Sequence, residues 1–406
     1  MRETVGEVPT AKDIPIDDIA GTFAAGRPDA KPFLRARVAR GENGGLPTLV
    51  SAWLAGGNRV SEPYATELQL HRERVDRYQA VLDELRDVEP RTVCLKGLSA
   101  ALWYPDELVR DMADLDLVLP DVSAIWRCGR RLAESGWVPG GIRVWHVGGR
   151  MELTLVMRRP AVHPDLTYPD EVDLSTISYE GDRVTMPPRH RVWPADPTLT
   201  LADCVMCLLE ELRDRRIRMR DVFDLAVFVG RIRPVDTREI VDLVVEYRAL
   251  APLRSLIAAA SIHLPSAVPW LSEVYALARQ RSRLPHMPWW VTRAPVTSIL
   301  AVAAEVSRRR SGIHAELAER LLIGAQRGFG ADRLIAMGAA LVGMPVSESG
   351  SRGGQLYRHG RQLLDEAELV TDGARAHLST PVGQFVLTLG GSVCEEWLDE
   401  FPLRAE

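Results

Sequence analysis

The stretch Thr92-Val-Cys-Leu-Lys-Gly-Leu-Ser-Ala-Ala-Leu-Trp-Tyr-Pro-Asp-Glu-Leu-Val-Arg-Asp-Met-Ala-Asp-Leu-Asp-Leu-Val-Leu119 decides how the rest of the chain is read. It spells strand, tight turn, short helix, loop, strand. Thr92 to Leu95 is a short β-favouring apolar run. Lys96-Gly97 breaks it, and Leu98 to Tyr104 suits a short helix ended by Pro105. Asp114 to Leu119 alternates, so Asp114, Asp116 and Val118 share one strand face while Leu115, Leu117 and Leu119 take the other. Two carboxylates are thereby held close together on a rigid element, opposite an apolar face.

Such a pair suits metal-assisted phosphoryl transfer. Mg²⁺ takes hard oxygen ligands, usually one or two carboxylates together with substrate phosphates. Two carboxylates on one face can serve two ions that clamp the attacking and leaving oxygens. Gly97 lets a phosphate approach the backbone, and the start of the following helix offers free N–H groups. Lys96 and Arg110 bracket the unit with positive charge. The chain has only three lysines, Lys12, Lys31 and Lys96, in an otherwise arginine-based background. A lysine at the end of an apolar strand in that setting is a candidate for a specific role. The bland alternative is a solvated strand face with an ordinary surface lysine.

These residues carry a resemblance. Leu95, Lys96, Gly97, Tyr104, Pro105, Asp106, Arg110, Asp114 and Asp116 resemble the signature of a bacterial branch of the DNA polymerase beta-type nucleotidyltransferase superfamily. That signature reads hydrophobic-Leu-Lys-Gly, a Tyr-Pro-Asp turn, an Arg, then Asp-hydrophobic-Asp. The likeness covers roughly residues 65 to 230. It implies Mg²⁺ held by Asp114 and Asp116, and a triphosphate held by Lys96, Gly97, Ser99 and Arg110. Many superfamily members carry Gly-Ser at the turn, whereas Leu98 follows Gly97 here and Ser99 comes one step late. The family also has an acid on a neighbouring strand, as third ligand or base. Val172-Asp173-Leu174 matches that pattern, with Ser175 where the family has a histidine. Glu152 is the other candidate for this carboxylate.

Composition sets outer bounds. A chain of 406 residues with 46% hydrophobic and 26% charged residues has the make-up of a globular protein of two or three domains. A net charge of −5 argues against a global nucleic-acid-binding surface. Five scattered cysteines fit a reducing cytoplasm better than a disulfide framework. No apolar run is long enough to span a bilayer, and no secretory leader is evident at Met1. A cytoplasmic location is the expectation, and the arginine, alanine and proline richness suggests a GC-rich bacterial genome.

Along the chain, residues 1–61 read as an N-terminal extension with short helices at 17–25 and 47–54. Residues 62–195 read as the nucleotidyltransferase core with its leading helix. Within it, 62–88 is strongly amphipathic, and His71 near its apolar stripe reads as structural. A helix from Val122 to about Gly136 and strands at 142–147, 151–157 and 171–176 follow, with a hairpin signal at Gly148-Gly149-Arg150. Residues 196–346 read as a helical region flanking the cleft, and 347–406 as a linker with a helix at 355–367 and a final strand at 384–389. Cys204 and Cys207 form a C-x-x-C on a helix, without the further ligands a zinc site needs, and read as core residues. Arg213, Arg215, Arg216, Arg218 and Arg220 form the densest positive run. Either they pair with Glu210, Glu211 and Asp214, or one of them, Arg220 in the site assignment, faces the nucleotide.

The fold expected is α+β, a mixed-sheet core with a largely helical C-terminal region. The reaction expected is transfer of a nucleoside monophosphate from an NTP to a hydroxyl or phosphate of a small-molecule or peptide acceptor, with Mg²⁺ on Asp114, Asp116 and Asp173. Two rivals stay open: a toxin-like transferase acting on tRNA or protein, and a non-catalytic interaction protein on the same fold.

Overall fold

A computed structural model describes residues 14–24, 45–147, 150–160, 169–179, 189, 200–214, 216–282, 299–300, 302–304, 306–307, 313–337, 339–346, 357–359, 366–372 and 375–389. Its centre is one ten-stranded sheet. The strands are β1 (Val93–Cys94), β2 (Leu115–Val118), β3 (Val138–Val147), β4 (Arg150–Arg159), β5 (Asp170–Ser175), β6 (Leu341–Val346), β7 (Tyr357–His359), β8 (Glu368–Asp372), β9 (Arg375–Thr380) and β10 (Gly383–Leu389). Their spatial order is β1-β2-β5-β4-β3-β6-β10-β9-β8-β7. Only β2 and β5 run parallel; every other neighbouring pair is antiparallel. The connection between β2 and β5 carries the Val122–Glu134 helix and the β3–β4 hairpin, which suits a parallel pair that needs a long crossover.

The mixed sheet with helices agrees with the α+β expectation, and the strand and helix placements before residue 282 follow the sequence pattern closely. Residues 148 and 149, at the tip of the expected hairpin, lie outside the described residues, but β3 and β4 pair as a hairpin would. The C-terminal part differs from the helical expectation. Helices Ile313–Phe329 and Ala331–Ala336 are present, but 341–346 is a strand, 357–359 is a strand where a helix over 355–367 was expected, and β8 and β9 join the expected final strand, β10, in a meander. The physical reason is burial against a shared core. Leu341, Leu369 and Leu378 alternate with less buried neighbours, and β10 is buried without a break from Phe385 to Leu389. Leu341, Leu369, Leu378, Phe385 and Leu387 enter the same core as the strands around residue 155. Short strands with period two carry less pattern than a long helix, so neighbouring helical spacing masks them.

That core lies on one face of the sheet, under the second half of Glu62–Val88, the Val122–Glu134 helix and the Ile313–Phe329 helix. A second core joins the N-terminal helices Ile16–Ala24 and Leu46–Ala55 to Leu201–Asp214, Met219–Val229, Pro234–Glu246, Leu250–His263 and Val268–Arg281, and meets the sheet at Val93, Leu95 and Val118. The carboxylate-bearing face of β2 and β5 therefore opens where the sheet meets this helical layer.

The N-terminal extension has a structural task. The Thr48 hydroxyl donates to the Val109 carbonyl at 2.8 Å, and the Val109 N–H donates to the Ser51 hydroxyl at 2.9 Å. The Gly45 N–H donates to the Asp111 carboxylate. Both backbone groups of a loop residue are thus paired by side chains of one helix. Ser51→Ala leaves the Val109 N–H without this acceptor and is expected to cost ~1–2 kcal/mol. A urea unfolding midpoint equal to that of the parent chain would show that the contact contributes nothing.

Candidate active site

The site begins with strand alternation. Leu115 and Leu117 of β2 are buried in the core, while Asp116 between them and Asp114 just before the strand lie on the opposite face. β5 alternates the same way, with Val172 and Leu174 buried and Asp173 between them. In the parallel pairing Asp116 and Asp173 are direct Cα partners. The two candidates for the third carboxylate are separated by this register. Val156 is the β4 residue opposite Asp173, so Glu152 sits four residues further along, roughly 13 Å away. Glu152 is also buried and accepts a bond from the Thr176 hydroxyl at 2.5 Å.

Burial, with neighbouring negative charge, raises the proton affinity of both partners. Burial, opposed by Lys96 and reinforced by Asp114 and Glu211, pushes the Asp116 carboxyl up to about 6. Burial first, then Asp116 and Asp114, hold the Asp173 carboxyl well above the ordinary aspartate value. Oδ1 of Asp173 is buried with no hydrogen-bond partner. A site with surplus negative charge and an unsatisfied carboxylate oxygen fits a hard cation. Among the described residues no three acidic, histidine or cysteine side chains already form a metal cage. Mg²⁺ does not demand one, because substrate phosphates and water complete its shell. Asp114, Asp116 and Asp173 are the residues that fit it.

Gly97 is held where only glycine is comfortable. Its φ of 48° lies in the left-handed region, and a Cβ there would come within 2.6 Å of the Met112 sulfur. The turn thus presses against the loop that delivers Asp114. The following helix, Leu98–Ala101, is a single turn, shorter than the run to Tyr104 suggested. The Ser99 hydroxyl faces inward and donates to the Cys94 carbonyl at 2.6 Å, so it closes the turn rather than facing the carboxylates.

Lys96 lies between two acids, with Nζ 3.9 Å from Asp116 and 3.3 Å from Glu211. Despite burial, these neighbours raise its pKa well above the usual lysine value, so it is a fixed positive charge. Glu211 also meets Arg220 at 3.4 Å, and the Arg220 Nε–H is buried without a partner. A pocket of about 20 Å³ opens between Lys96, Glu211, Arg110 and Asp224. That is room for one water, so a nucleotide would have to lie outside it, along the sheet face.

Arg110 is placed differently from its expected role. Its Nε and Nη2 meet the two oxygens of Asp224 at 2.8 and 2.7 Å, and Tyr104 donates to the same carboxylate at 2.7 Å. Arg110 and Asp224 are both buried. The bidentate pair ties the Asp-bearing loop to the Met219–Val229 helix and leaves Arg110 committed to Asp224 rather than to a phosphate. Asp224→Asn should therefore act on stability, costing ~3 kcal/mol or more by stranding a buried guanidinium. A thermal unfolding temperature within a degree of the parent would refute that assignment.

Several bland readings hold. Cys204 and Cys207 are free thiols in the helical core, and Cys207 donates to the Leu95 carbonyl at 3.5 Å. His71 is buried, lies 3.0 Å from the Arg110 carbonyl, and has its pKa lowered chiefly by burial. Glu210 pairs with Arg189, outside the basic run. Glu211 and Asp224 were not singled out as site residues from the sequence. The spacing of Glu210 and Glu211 at the end of an apolar stripe offers no sign of which acid turns toward Lys96.

The raised Asp116 pKa makes a stability claim with a definite sign. The folded value of about 6 exceeds the ordinary 3.8, so this group's contribution is fully favourable below pH 4 and is lost as pH rises through 6. In chelator at pH 7, Asp116→Asn should stabilise the protein by ~1–2 kcal/mol, and the gain should vanish near pH 4. Destabilisation at pH 7 would show that Asp116 is paid for by contacts stronger than its repulsion.

Residues 64–265, about half of the chain, match the family model described as uncharacterised nucleotidyltransferase. No curated protein and no solved structure matches the chain.

Proposed function

From a nucleotidyltransferase region that spans residues 64–265, we propose a Mg²⁺-dependent enzyme of the polymerase beta type. It transfers a nucleoside monophosphate from an NTP to a hydroxyl or phosphate of a small-molecule or peptide acceptor. The observation that carries this reading is the pairing of Asp116 with Asp173 across parallel strands, with the Lys96 ammonium beside Asp116. All three residues lie within the family region. In the reaction the acceptor oxygen bonds to the α-phosphorus, the bond from that phosphorus to its bridging oxygen breaks, and pyrophosphate leaves.

Asp114, Asp116 and Asp173 would hold Mg²⁺, which supplies Lewis-acid stabilisation of charge on the phosphoryl oxygens. Lys96, paired with Asp116, serves as the hydrogen-bond donor to a phosphate on the β1 side of these carboxylates. Arg220, linked to the same Glu211 and with an unpartnered Nε–H, is the second candidate for that task. Asp173, with its raised proton affinity and free oxygen, takes the acceptor proton. The acidic net charge favours a small acceptor over RNA. Engagement of Arg220 by Glu211 removes one member of the basic run that would have favoured RNA.

Turnover assays with Mg-NTP and a mixed acceptor extract, read by mass spectrometry, test the assignment. Asp114→Asn and Asp116→Asn should each lose ~3 kcal/mol or more of transition-state stabilisation, beyond ~100-fold in rate. Asp173→Asn should keep Mg-NTP affinity within a few-fold while slowing transfer ~100-fold, and Glu152→Gln should match the parent. Near-normal turnover in the Asp116 variant, or a Glu152 variant slower than the Asp173 one, would overturn the reading.

A further inference from the structure

Tyr78 stands at the centre of the Glu62–Val88 helix and is fully buried. Its hydroxyl donates to the Ala113 carbonyl at 2.8 Å and accepts from the Glu171 N–H at 3.0 Å. Ala113 immediately precedes Asp114, and Glu171 lies two residues before Asp173. One hydroxyl therefore joins the leading ends of the two carboxylate strands.

The position of that hydroxyl in the ladder is informative. Bonds in a parallel pair recur every two residues along each strand. At the far end of this pair the Leu119 N–H donates to the Ser175 carbonyl. The register pairs Leu115 with Val172 at the near end, where the ladder starts. Stepping back by one repeat, the next rung would run from the Glu171 N–H to the Ala113 carbonyl. Those are the two groups that Tyr78 bridges instead. The hydroxyl is interposed in the rung, so β2 and β5 separate just where Asp114 begins.

The same helix fixes the strand ends on both sides of this point. Arg74 and Arg77 both reach the buried Asp170 carboxylate, at 3.3 and 3.0 Å. His71 contacts the Arg110 carbonyl. Position along β5 and position of the loop are thus both set from one rigid element, with Tyr78 between them.

The geometry points to Tyr78 as a positioning residue whose hydroxyl spaces β2 from β5 and thereby sets the separation of the Asp114–Asp116 pair from Asp173. Its consequence for ion binding rests on the nucleotidyltransferase reading; its role as a spacer does not. Tyr78→Phe removes the hydroxyl and keeps the ring in the core. The rung then closes directly and draws the carboxylates together, or both backbone groups stay unpaired and the strand ends loosen.

The test uses the full chain with Mn²⁺ alone as probe, titrated by calorimetry without nucleotide, together with amide hydrogen exchange. Tyr78→Phe should weaken Mn²⁺ binding ~10-fold, the scale of losing a group that orients a ligand. Exchange at residues 113–116 and 171–173 should change. Val81→Ala, on the same helix but touching only the core, is the control for general loosening and should keep the parent's Mn²⁺ affinity. Parent-like exchange in both segments of Tyr78→Phe overturns the spacer role, as does an equal loss in both variants. If the parent itself binds no Mn²⁺, the metal reading fails, and the exchange arm alone still decides the role of Tyr78.

Discussion

Two carboxylates stand opposite each other on adjacent parallel strands, and much of the structure is arranged to hold them there. Asp116 and Asp173 repel, and burial adds to the cost of their charge. What keeps the register is the other face. Leu115, Leu117, Val172 and Leu174 are each at most 1% exposed. At roughly 1.5–3 kcal/mol for each such side chain, their burial outweighs a few kcal/mol of carboxylate repulsion. A slip of one residue would exchange the two faces and put both aspartates into the core, so register is strongly specified. The hydrophobic face thus imposes an electrostatic arrangement that the polar face alone would not adopt.

The cations around this pair divide by their partners. Arg110 gives its Nε–Nη2 edge to Asp224 and its Nη1 to the Gly97 and Asp111 carbonyls, and is a tie between loop and helix. Asp170 is buried among Arg74, Arg77 and Arg159 and fixes the start of β5. Among the described residues Lys96 is the cation paired with the carboxylate pair itself, at a distance too long for a tight bond, and it shares its charge with Glu211. A compact ammonium on a flexible stem can exchange one anionic partner for another, whereas a bidentate guanidinium loses two bonds when it moves. This difference explains why the chain's rare lysine, and not one of its many arginines, occupies the place beside Asp116.

Much of this was legible in the sequence where a pattern has a period. The alternation of Asp114 to Leu119 placed two acids on one face, because strand side chains alternate with period two, whereas the third rested on the family resemblance of Val172-Asp173-Leu174, with Glu152 as the alternative. Gly97 was legible as a turn, and its φ of 48° shows why. Arg110 was read toward a phosphate from its charge beside the motif, and Ser99 from the family resemblance alone. Spacing is silent on long-range partners, and Asp224 lies 114 residues from Arg110. Of the C-terminal meander only the last strand, 384–389, was legible, and the rest was illegible for a related reason. Strands of five or six residues acquire their pairing from distant neighbours, and only burial against the shared core distinguishes them from loop.

The loop from Pro105 to Ala113 illustrates what such distant partners accomplish. It has no helix or strand of its own, so its backbone groups must be paired by something else. Thr48 and Ser51 pair Val109, Gly45 meets Asp111, His71 meets the Arg110 carbonyl, and Tyr78 meets Ala113. These partners come from two helices that precede the motif and from Gly45 at the start of the first, which lies outside the matched family region. A loop held at successive residues has few alternative conformations, so little ordering entropy remains to be lost when a substrate binds. The N-terminal extension is therefore part of what shapes the Asp114–Asp116 site, through the contacts that Gly45, Thr48 and Ser51 make with its loop.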